Sequence, residues 1–517
     1  MRLRVTSLLL ATALGAGAAL PLHAQSTSAP PPVPREFRAS WVATVGNIDW
    51  PSRPGLSAWE QQTELLRILD KAVEMRQNAI VFQVRTAADA LYDSPHEPWS
   101  EYLTGQQGLA PEPAYDPLAF AVKEAHARGL ELHAWFNPFR AFHPTARTAD
   151  TALTHVTRTG AVAAPRYGTH RWMDPGDPRV REHSLRVIAD VVRRYDVDGV
   201  HVDDYFYPYR ERDSSGAEIQ FPDSATYAAY VRGGGRLDRE DWRRNNVDVF
   251  VRDMYAAVRA LKPHVRVGVS PFGLWRPGYP EGICCFDPYV QIYADSKKWL
   301  ENGWLDYFTP QLYWKIDAPQ QSYPVLLKWW VEQNVKQRHM WPGMFTSRVG
   351  QRAAQPSAVW TVEEIQQQIA ITRNQPGATG HVHFSMRAFL RDTPDSLAQR
   401  LAKVTYAEPA LVPATPWLDS IPPREPSARI VADTLTGGTR LQLTPATGEP
   451  VWLWAVQELR SGAWTTRILP GSLQSTALTR FAAEPAPDAV WVRAVDRVGN
   501  ESRAVQARQA PSRRAQR

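Results

Sequence analysis

From Glu36 onward, short apolar runs alternate with longer stretches whose apolar residues recur at helical spacing. Eight runs read as strands: Glu36–Val45, Asn78–Arg85, Glu131–Arg140, Val197–Asp203, Val265–Pro271, Leu305–Trp314, His339–Phe345 and Gly380–Phe384. Several are apolar almost throughout, the pattern of strands buried on both faces. Ser57–Arg76 sets Leu65, Leu66, Leu69, Ala72 and Val73 at helical spacing. Asp177-Pro178 supplies a cap and a first-turn proline to a helix reaching Tyr195. Thr361-Val-Glu-Glu364 is a capping box that opens a helix to Asn374. Further helices are expected over Pro117–Gly129, Asp238–Leu261, Ser296–Asn302, Tyr323–Asn334 and Pro394–Tyr406. The alternation predicts an α/β fold, a (β/α)8 barrel of the TIM type, over residues 35–406. The extra length follows strands one to five, on the face where barrel enzymes carry their sites.

The pattern then changes. Glu408–Pro426 holds six prolines, and residues 407–415 read as a linker. Arg440–Leu443, Val451–Glu458, Trp464–Leu469 and Ala489–Val495 are short alternating runs separated by turn residues. They predict a small all-β sandwich over 416–507. Within it, Trp491-Val-Arg-Ala-Val-Asp-Arg-Val-Gly-Asn-Glu-Ser502 resembles the last strands of a fibronectin type III module. Residues 508–517 are expected to form a basic disordered tail.

At the other end, Arg2 and Arg4 precede an apolar run from Leu8 to Leu20, and Leu22-His23-Ala24 fits a cleavage site. Residues 1–24 therefore read as a secretory signal, too short in its apolar part to span a bilayer. Residues 25–34 are a Pro/Ser-rich lead-in. No stable membrane insertion is expected, and the mature chain is expected in the periplasm. The only cysteines, Cys284 and Cys285, are adjacent. Ordinary disulfides need more widely separated Cα atoms, so two free thiols are expected, with a vicinal disulfide left open.

Composition sharpens this picture. The net charge of +6 is carried by Arg2 and Arg4 at one end and Arg508, Arg513, Arg514 and Arg517 at the other. The body between is neutral, which argues against a nucleic-acid partner. Twenty Trp, 18 Tyr and 16 Phe favour a ligand with flat apolar faces, such as a sugar.

The densest polar constellation is Val197-Asp-Gly-Val-His-Val-Asp-Asp-Tyr-Phe-Tyr-Pro208. Side chains alternate along a strand, so Gly199, His201 and Asp203 share one face. Near the C-terminal end of a barrel strand, the inward face is the floor of the site. Asp204 is either turned outward or re-aimed by the loop that starts there. Two adjacent carboxylates repel, which raises one pKa enough to make an acid. A capped helix or a structural ion pair is the competing reading.

Other strand ends add candidates. His133, Trp135 and Asn137 alternate onto one face, followed by Arg140. Gln83 and Arg85 share a face, with Asp89 and Tyr92 in the next loop. Arg38, Trp41, Tyr205, Tyr207, Gln311, Tyr313, Trp314 and Arg387 complete the set of expected substrate contacts. For each one alone, packing or a salt bridge is an equal reading; their number at one end of the barrel makes the case. His381 and His383 lie on one strand face, where satisfied barrel histidines outweigh a metal pair. No HExxH, CxxC, EF-hand, Walker, Rossmann or GxSxG motif occurs.

The segments Glu36-Phe-Arg-Ala-Ser-Trp-Val-Ala-Thr-Val45, Trp135-Phe-Asn-Pro-Phe-Arg140, Asp198-Gly-Val-His-Val-Asp-Asp-Tyr205, Ser270-Pro-Phe-Gly273 and Asp306-Tyr-Phe-Thr-Pro-Gln-Leu-Tyr-Trp314 resemble the glycosyl-hydrolase-like family 10 domain. That family is a (β/α)8 barrel of bacterial envelope proteins and includes an enzyme acting on peptidoglycan strands stripped of their peptides. The resemblance covers residues 34–405 and implies glycan hydrolysis in the cell envelope. The fourth-strand motif is also similar to the Asp-Gly-x-Arg-x-Asp of α-amylase-type barrels, which places Asp203 at the nucleophile. The chitinase pattern fits worse, because Tyr205 stands at its acid position. The fifth strand ends without a Glu, so the proton donor falls to Asp295 or Asp204.

Three functions are then in play. The first is an exported glycoside hydrolase with Asp203 as nucleophile or base, acting on a glycan polymer without metal or cofactor. The second is a glycan-binding protein that does not cut. The third is a metal-dependent deacetylase using His381 and His383. The C-terminal module is expected to position the barrel on polymer or on an envelope protein partner.

Overall fold

A computed structural model describes residues 29–147, 152–351, 359–391 and 396–510. The expected signal, residues 1–24, lies outside the described residues. Eight parallel strands form the barrel wall: β1 (Phe37–Val42), β2 (Ala79–Arg85), β3 (Glu131–Phe136), β4 (Gly199–Val202), β5 (Arg266–Val269), β6 (Tyr307–Phe308), β7 (His339–Met340 and Gly343–Met344) and β8 (Gly380–His383). Around them run α1 (Ala58–Glu74), α2 (Pro117–His126), α3 (Pro178–Arg194), α4 (Arg239–Leu261), α5 (Ser296–Asn302), α6 (Tyr323–Gln333), α7 (Val362–Asn374) and α8 (Leu397–Arg400). Ser57 and Glu60 close a capping box on α1, Asp177 caps α3, and Thr361 caps α7.

Neighbouring strands pair in the order β6, β5, β4, β3, β2, β1, β8. The seventh strand closes the circle in two halves. His339 lies beside Tyr307 of β6, whereas Gly343 lies beside Val382 of β8. Trp341-Pro342 interrupts it because proline has no N–H for the ladder. The expected sixth strand is regular only over Tyr307–Phe308; beyond it, Gln311 still bridges to Phe272 and Gly343. The fold is therefore the expected (β/α)8 barrel.

Two layers of packing result. Leu65, Leu69, Phe82, Leu132, Val187, Val200, Phe250 and Val267 are buried between strands and helices. Phe37, Trp41, Trp135, Tyr307 and Trp341 fill the interior. Two glycines make room for inward polar rings. A Cβ on Gly199 would lie 2.4 Å from His133 Nδ1, and one on Gly268 would lie 1.9 Å from the Tyr307 ring.

The C-terminal module has eight strands: β9 (Ser427–Ala432), β10 (Gly437–Thr444), β11 (Leu453–Arg460), β12 (Ala463–Pro470), β13 (Ser475–Phe481), β14 (Ala489–Val495), β15 (Val505–Gln506) and β16 (Arg508–Gln509). They form two four-stranded sheets, ordered β13-β10-β9-β16 and β12-β11-β14-β15. Ile430, Leu441, Trp454, Val456 and Val492 are buried together as their core. The basic tail is corrected at its start, since Arg508 and Gln509 pair with Arg429 and Ile430.

The module sits against the N-terminal end of the barrel. Arg497 ion-pairs with Asp198 at 2.8 Å, Arg35 with Glu501 at 2.6 Å, and Trp417 donates to Asp306 at 2.8 Å. Residues 407–415 are thus no loose linker. Leu411 and Val412 are buried, and the Thr415 hydroxyl accepts from Arg266 Nε at the start of β5. The end of the lead-in is likewise packed: Val33 is buried and the Pro31 carbonyl accepts from Gln457.

Candidate active site

At the C-terminal end of the strands lies a pocket of about 340 Å3, with Trp41, Gln83, Asp203, Asp204, Gln311 and Tyr313 in its lining. A hollow of about 460 Å3 lies at the opposite end, but the charges there neutralise one another: Glu36 pairs with Arg38 at 2.6 Å and with Arg373 at 2.8 Å. The upper pocket is therefore the candidate site.

Strand alternation carries Asp203 onto the floor. Asp204 lies two residues past the strand, where a turn closed by Phe206 N on the Asp204 carbonyl re-aims the side chain inward. Its Oδ1 accepts from Gln311 Nε2 at 2.9 Å, and its Oδ2 is bonded to the Tyr209 hydroxyl. Asp203 is more heavily bonded. Asn137 Nδ2 donates to both its oxygens, at 2.8 and 2.7 Å; Trp135 Nε1 donates to Oδ2 and Tyr205 N to Oδ1, each at 3.2 Å. Among the described residues, neither carboxyl forms a salt bridge. Burial, and then the Asp204 charge, push the Asp203 carboxyl up to about 7; burial raises Asp204 as well. Groups coupled so closely titrate as a pair, which holds one proton just below neutrality. Hydrogen bonds decide where it rests. Donors reach both oxygens of each carboxyl, but among them only the Tyr209 hydroxyl, which donates to Asp204 Oδ2, can rotate to accept a proton instead.

Asn137 is the keystone of the floor. Its Oδ1 accepts from Gln83 Nε2 and from Arg140 Nη2, each at 2.7 Å, so its amide must point its N–H groups at Asp203. Gln83 Oε1 in turn accepts from Thr44 N and Val45 N and fixes the turn that walls the pocket. Arg140 is further held by the Thr86 carbonyl and lies over the Tyr205 ring. Ser270, just past the end of β5, lines the pocket with a buried hydroxyl that has no hydrogen-bond partner among the described residues.

Two expected contacts, His133 and His201, lie below the pocket instead. Trp41 Nε1 donates to His201 Nε2 at 3.2 Å, which leaves the His201 proton on Nδ1. That proton meets the Tyr307 hydroxyl at 3.1 Å; Tyr307 then donates to His133 Nδ1 at 2.9 Å. His133 Nε2 donates to Glu131 at 3.1 Å, and Glu131 accepts from Arg266 at 3.0 Å. A directed polar spine thus runs up the barrel and ends by holding the Trp41 indole.

Several other expected contacts are corrected. Arg85 is turned from the pocket by a register shift after Gln83 and pairs with buried Glu97 at 2.6 Å. Asp89 caps the turn at Thr86 and Ala87, and Tyr92 packs in the core beside Tyr195. Arg38 belongs to the N-terminal end, stacked on Tyr406. Tyr207 is buried between Phe221 and Tyr293. Trp314 packs on Phe272, and Arg387 reaches only the outer side of the Ile48 turn. Asp295, a candidate donor, is the N-cap of α5 and accepts from Trp275 Nε1 at 3.0 Å, outside the pocket. His381 and His383 face outward, and both Nε2 atoms share the Tyr406 hydroxyl. Cys284 and Cys285 form a vicinal disulfide rather than two thiols, with Cys285 at φ +99°.

Tyr209, His143, Thr145 and Phe384 also line the pocket, beyond the residues expected there. Tyr209 continues the alternation Tyr205, Tyr207, which is a usable signal. Phe384 ends the expected eighth strand in alternation with inward Val382, whereas His143 and Thr145 sit on a loop with no periodicity to mark them.

The model of the family glycosyl hydrolase-like 10 matches residues 36–362. The chain is 39% identical over 412 residues to the glycosyl hydrolase YngK of Bacillus subtilis, covering 78% of each chain. It is 34% identical over 402 residues to the glycosyl hydrolase DigH of Escherichia coli, covering 71% of this chain and 86% of that one. Among solved structures, the glycoside hydrolase domain of PgaB from Bordetella bronchiseptica aligns at a TM-score of 0.46 and 14% identity, over 72% of this chain and 99% of that one.

Proposed function

The chain belongs to the glycosyl hydrolase-like 10 family, and from that premise we propose that it is an exported glycoside hydrolase whose acid and base are Asp204 and Asp203. The observation that carries this is the buried pair of adjacent carboxyls, with no cation in contact, on the floor of an aromatic-lined pocket. Glycosidic hydrolysis needs one carboxyl to protonate the leaving oxygen and one to act at the anomeric carbon or on a water. Asp204 delivers the proton, with Tyr209 as its resting partner. Asp203, whose two oxygens accept from Asn137, Trp135 and the Tyr205 N–H, serves as nucleophile or base. Trp41, Trp135, Tyr205 and Tyr313 offer ring faces to sugars, and Gln311 and Ser270 offer hydrogen bonds to hydroxyls.

The substrate we infer is peptidoglycan glycan, in keeping with the signal-like first 24 residues and a periplasmic location. The C-terminal sandwich is read as a fibronectin type III-like module; the strand orders β13-β10-β9 and β12-β11-β14-β15 support that. The protein and its Asp203→Asn variant, incubated with intact and peptide-stripped peptidoglycan, test the reading by mass spectrometry. Disaccharide or muropeptide release by wild type alone is expected. Binding of both substrates without release would replace it with the non-cutting binder.

A further inference from the structure

We propose, resting on that reading, that the pocket continues into an anionic subsite that takes a carboxylate-bearing sugar next to the one being cleaved. A second hollow of about 330 Å3 adjoins the pocket, and Gly46 and Thr145 line both. The junction is a built saddle. Tyr102 Oη and His143 Nδ1 meet the Thr145 hydroxyl at 2.9 and 2.7 Å. Gly46, at φ +59°, brings no side chain to it; a Cβ there would come within 3.2 Å of Thr145 Oγ1.

Two guanidinium groups, those of Arg53 and Arg147, line the second hollow and are exposed. Among the described residues neither guanidinium forms a hydrogen bond or ion pair. The acids around them are engaged elsewhere. Glu101 accepts from the Arg147 backbone N–H at 2.6 Å, Glu64 from Ser52, and Glu60 caps α1 while feeling the Arg53 charge. By contrast, buried Arg85 is paired with Glu97 and buried Arg243 with Asp223.

Two planar cations in a groove continuous with a glycosidase pocket suit a carboxylate, which each can hold bidentately. A neutral sugar would leave both unanswered. A glycan whose alternate sugars carry an ionised lactyl carboxylate presents that group one residue from the scissile bond.

The test uses oligosaccharides of peptide-stripped peptidoglycan and the same material with its carboxyls reduced to alcohols. Binding is read by calorimetry on the Asp203→Asn chain, alone and combined with Arg53→Gln and Arg147→Gln; hydrolysis is read on wild type. The expected result is binding roughly tenfold weaker for the reduced glycan, a preference lost when both arginines are replaced. Salt should weaken binding of the native form only. Equal binding of both glycans, or a preference that survives the double replacement, overturns the subsite. A preference without hydrolysis by wild type would overturn the hydrolase reading and leave the subsite standing. Hydrolysis without preference would do the reverse.

Discussion

Asp198 and Asp203 flank the same four-residue strand, both buried, yet they sit in opposite electrostatic settings. Asp198 accepts from Leu132 N and faces His126 and Arg497. Burial alone would raise it, but the Arg497 charge and then His126 hold it well below the usual range. Asp203, at the other end, has amide, indole and backbone donors but no cation in contact, and a second carboxyl beside it. It is pushed up to about 7. The same contrast divides the barrel: Glu36 and Glu97, each on arginine, are held at about 2. Asp198, Glu36 and Glu97 hold the fold together as paired charges, whereas the two carboxyls of the pocket have each other and no cation in contact. Groups whose environments push their pKa values apart are where acid and base roles are found.

The largest effect expected is on turnover. Asp203→Asn and Asp204→Asn should each lower kcat by roughly 10^3-fold with thermal unfolding little changed, as positioned acids and bases contribute. Retained turnover in either, measured as reducing-end release, would break the contrast from the pocket side. Asp198→Asn should do the opposite. It removes one of the two carboxylates on Arg497, leaving only the exposed Asp196 at 3.0 Å, and should cost about 2 kcal/mol of stability, read by denaturant unfolding, while the kcat of folded protein is kept.

The pH dependence should carry opposite signs. The pocket pair binds its proton more tightly folded than unfolded, so its contribution to stability is present at low pH and is lost as pH rises through about 7. Asp198 has a depressed folded value; its contribution is present above the unfolded carboxylate range and lost on acidification. Activity should fall on the alkaline side of about 7, where the shared proton leaves. In Asp203→Asn, the stability curve should flatten through neutrality while its acid limb persists. A pH profile unchanged by that substitution would remove the pair from the chemistry.

The smallest effect expected is from Tyr209→Phe. It removes the hydroxyl that can receive the Asp204 proton and should lower kcat by roughly fivefold, the worth of one hydrogen bond of about 1 kcal/mol. A shift of the alkaline limb should accompany it, which a purely packing role would not produce.

Much of this architecture is legible in the amino-acid sequence. The eight apolar runs mark the barrel wall, because both faces of a parallel strand must be buried. Alternation along Gly199, His201 and Asp203 puts the carboxylate on the inward face. The same alternation does not say how deep an inward residue lies, so His133 and His201 read as contacts though they are struts beneath Trp41. Nor does it reveal that Glu97 claims Arg85 or that Tyr406 claims both His381 and His383. Tyr406 lies outside the strand that carries the histidines, and Glu97 lies in the loop after Arg85, where no period applies.

Short-range periodicity thus suffices for the barrel, for the end at which its site lies and for the orientation of Asp203. Folding in three dimensions is needed to turn Asp204 inward onto Gln311 and Tyr209, to close the opposite end with Arg497 and to extend the pocket with two arginines. Those outcomes depend on loops, where no repeat ties a residue number to a direction and long-range contacts alone choose it.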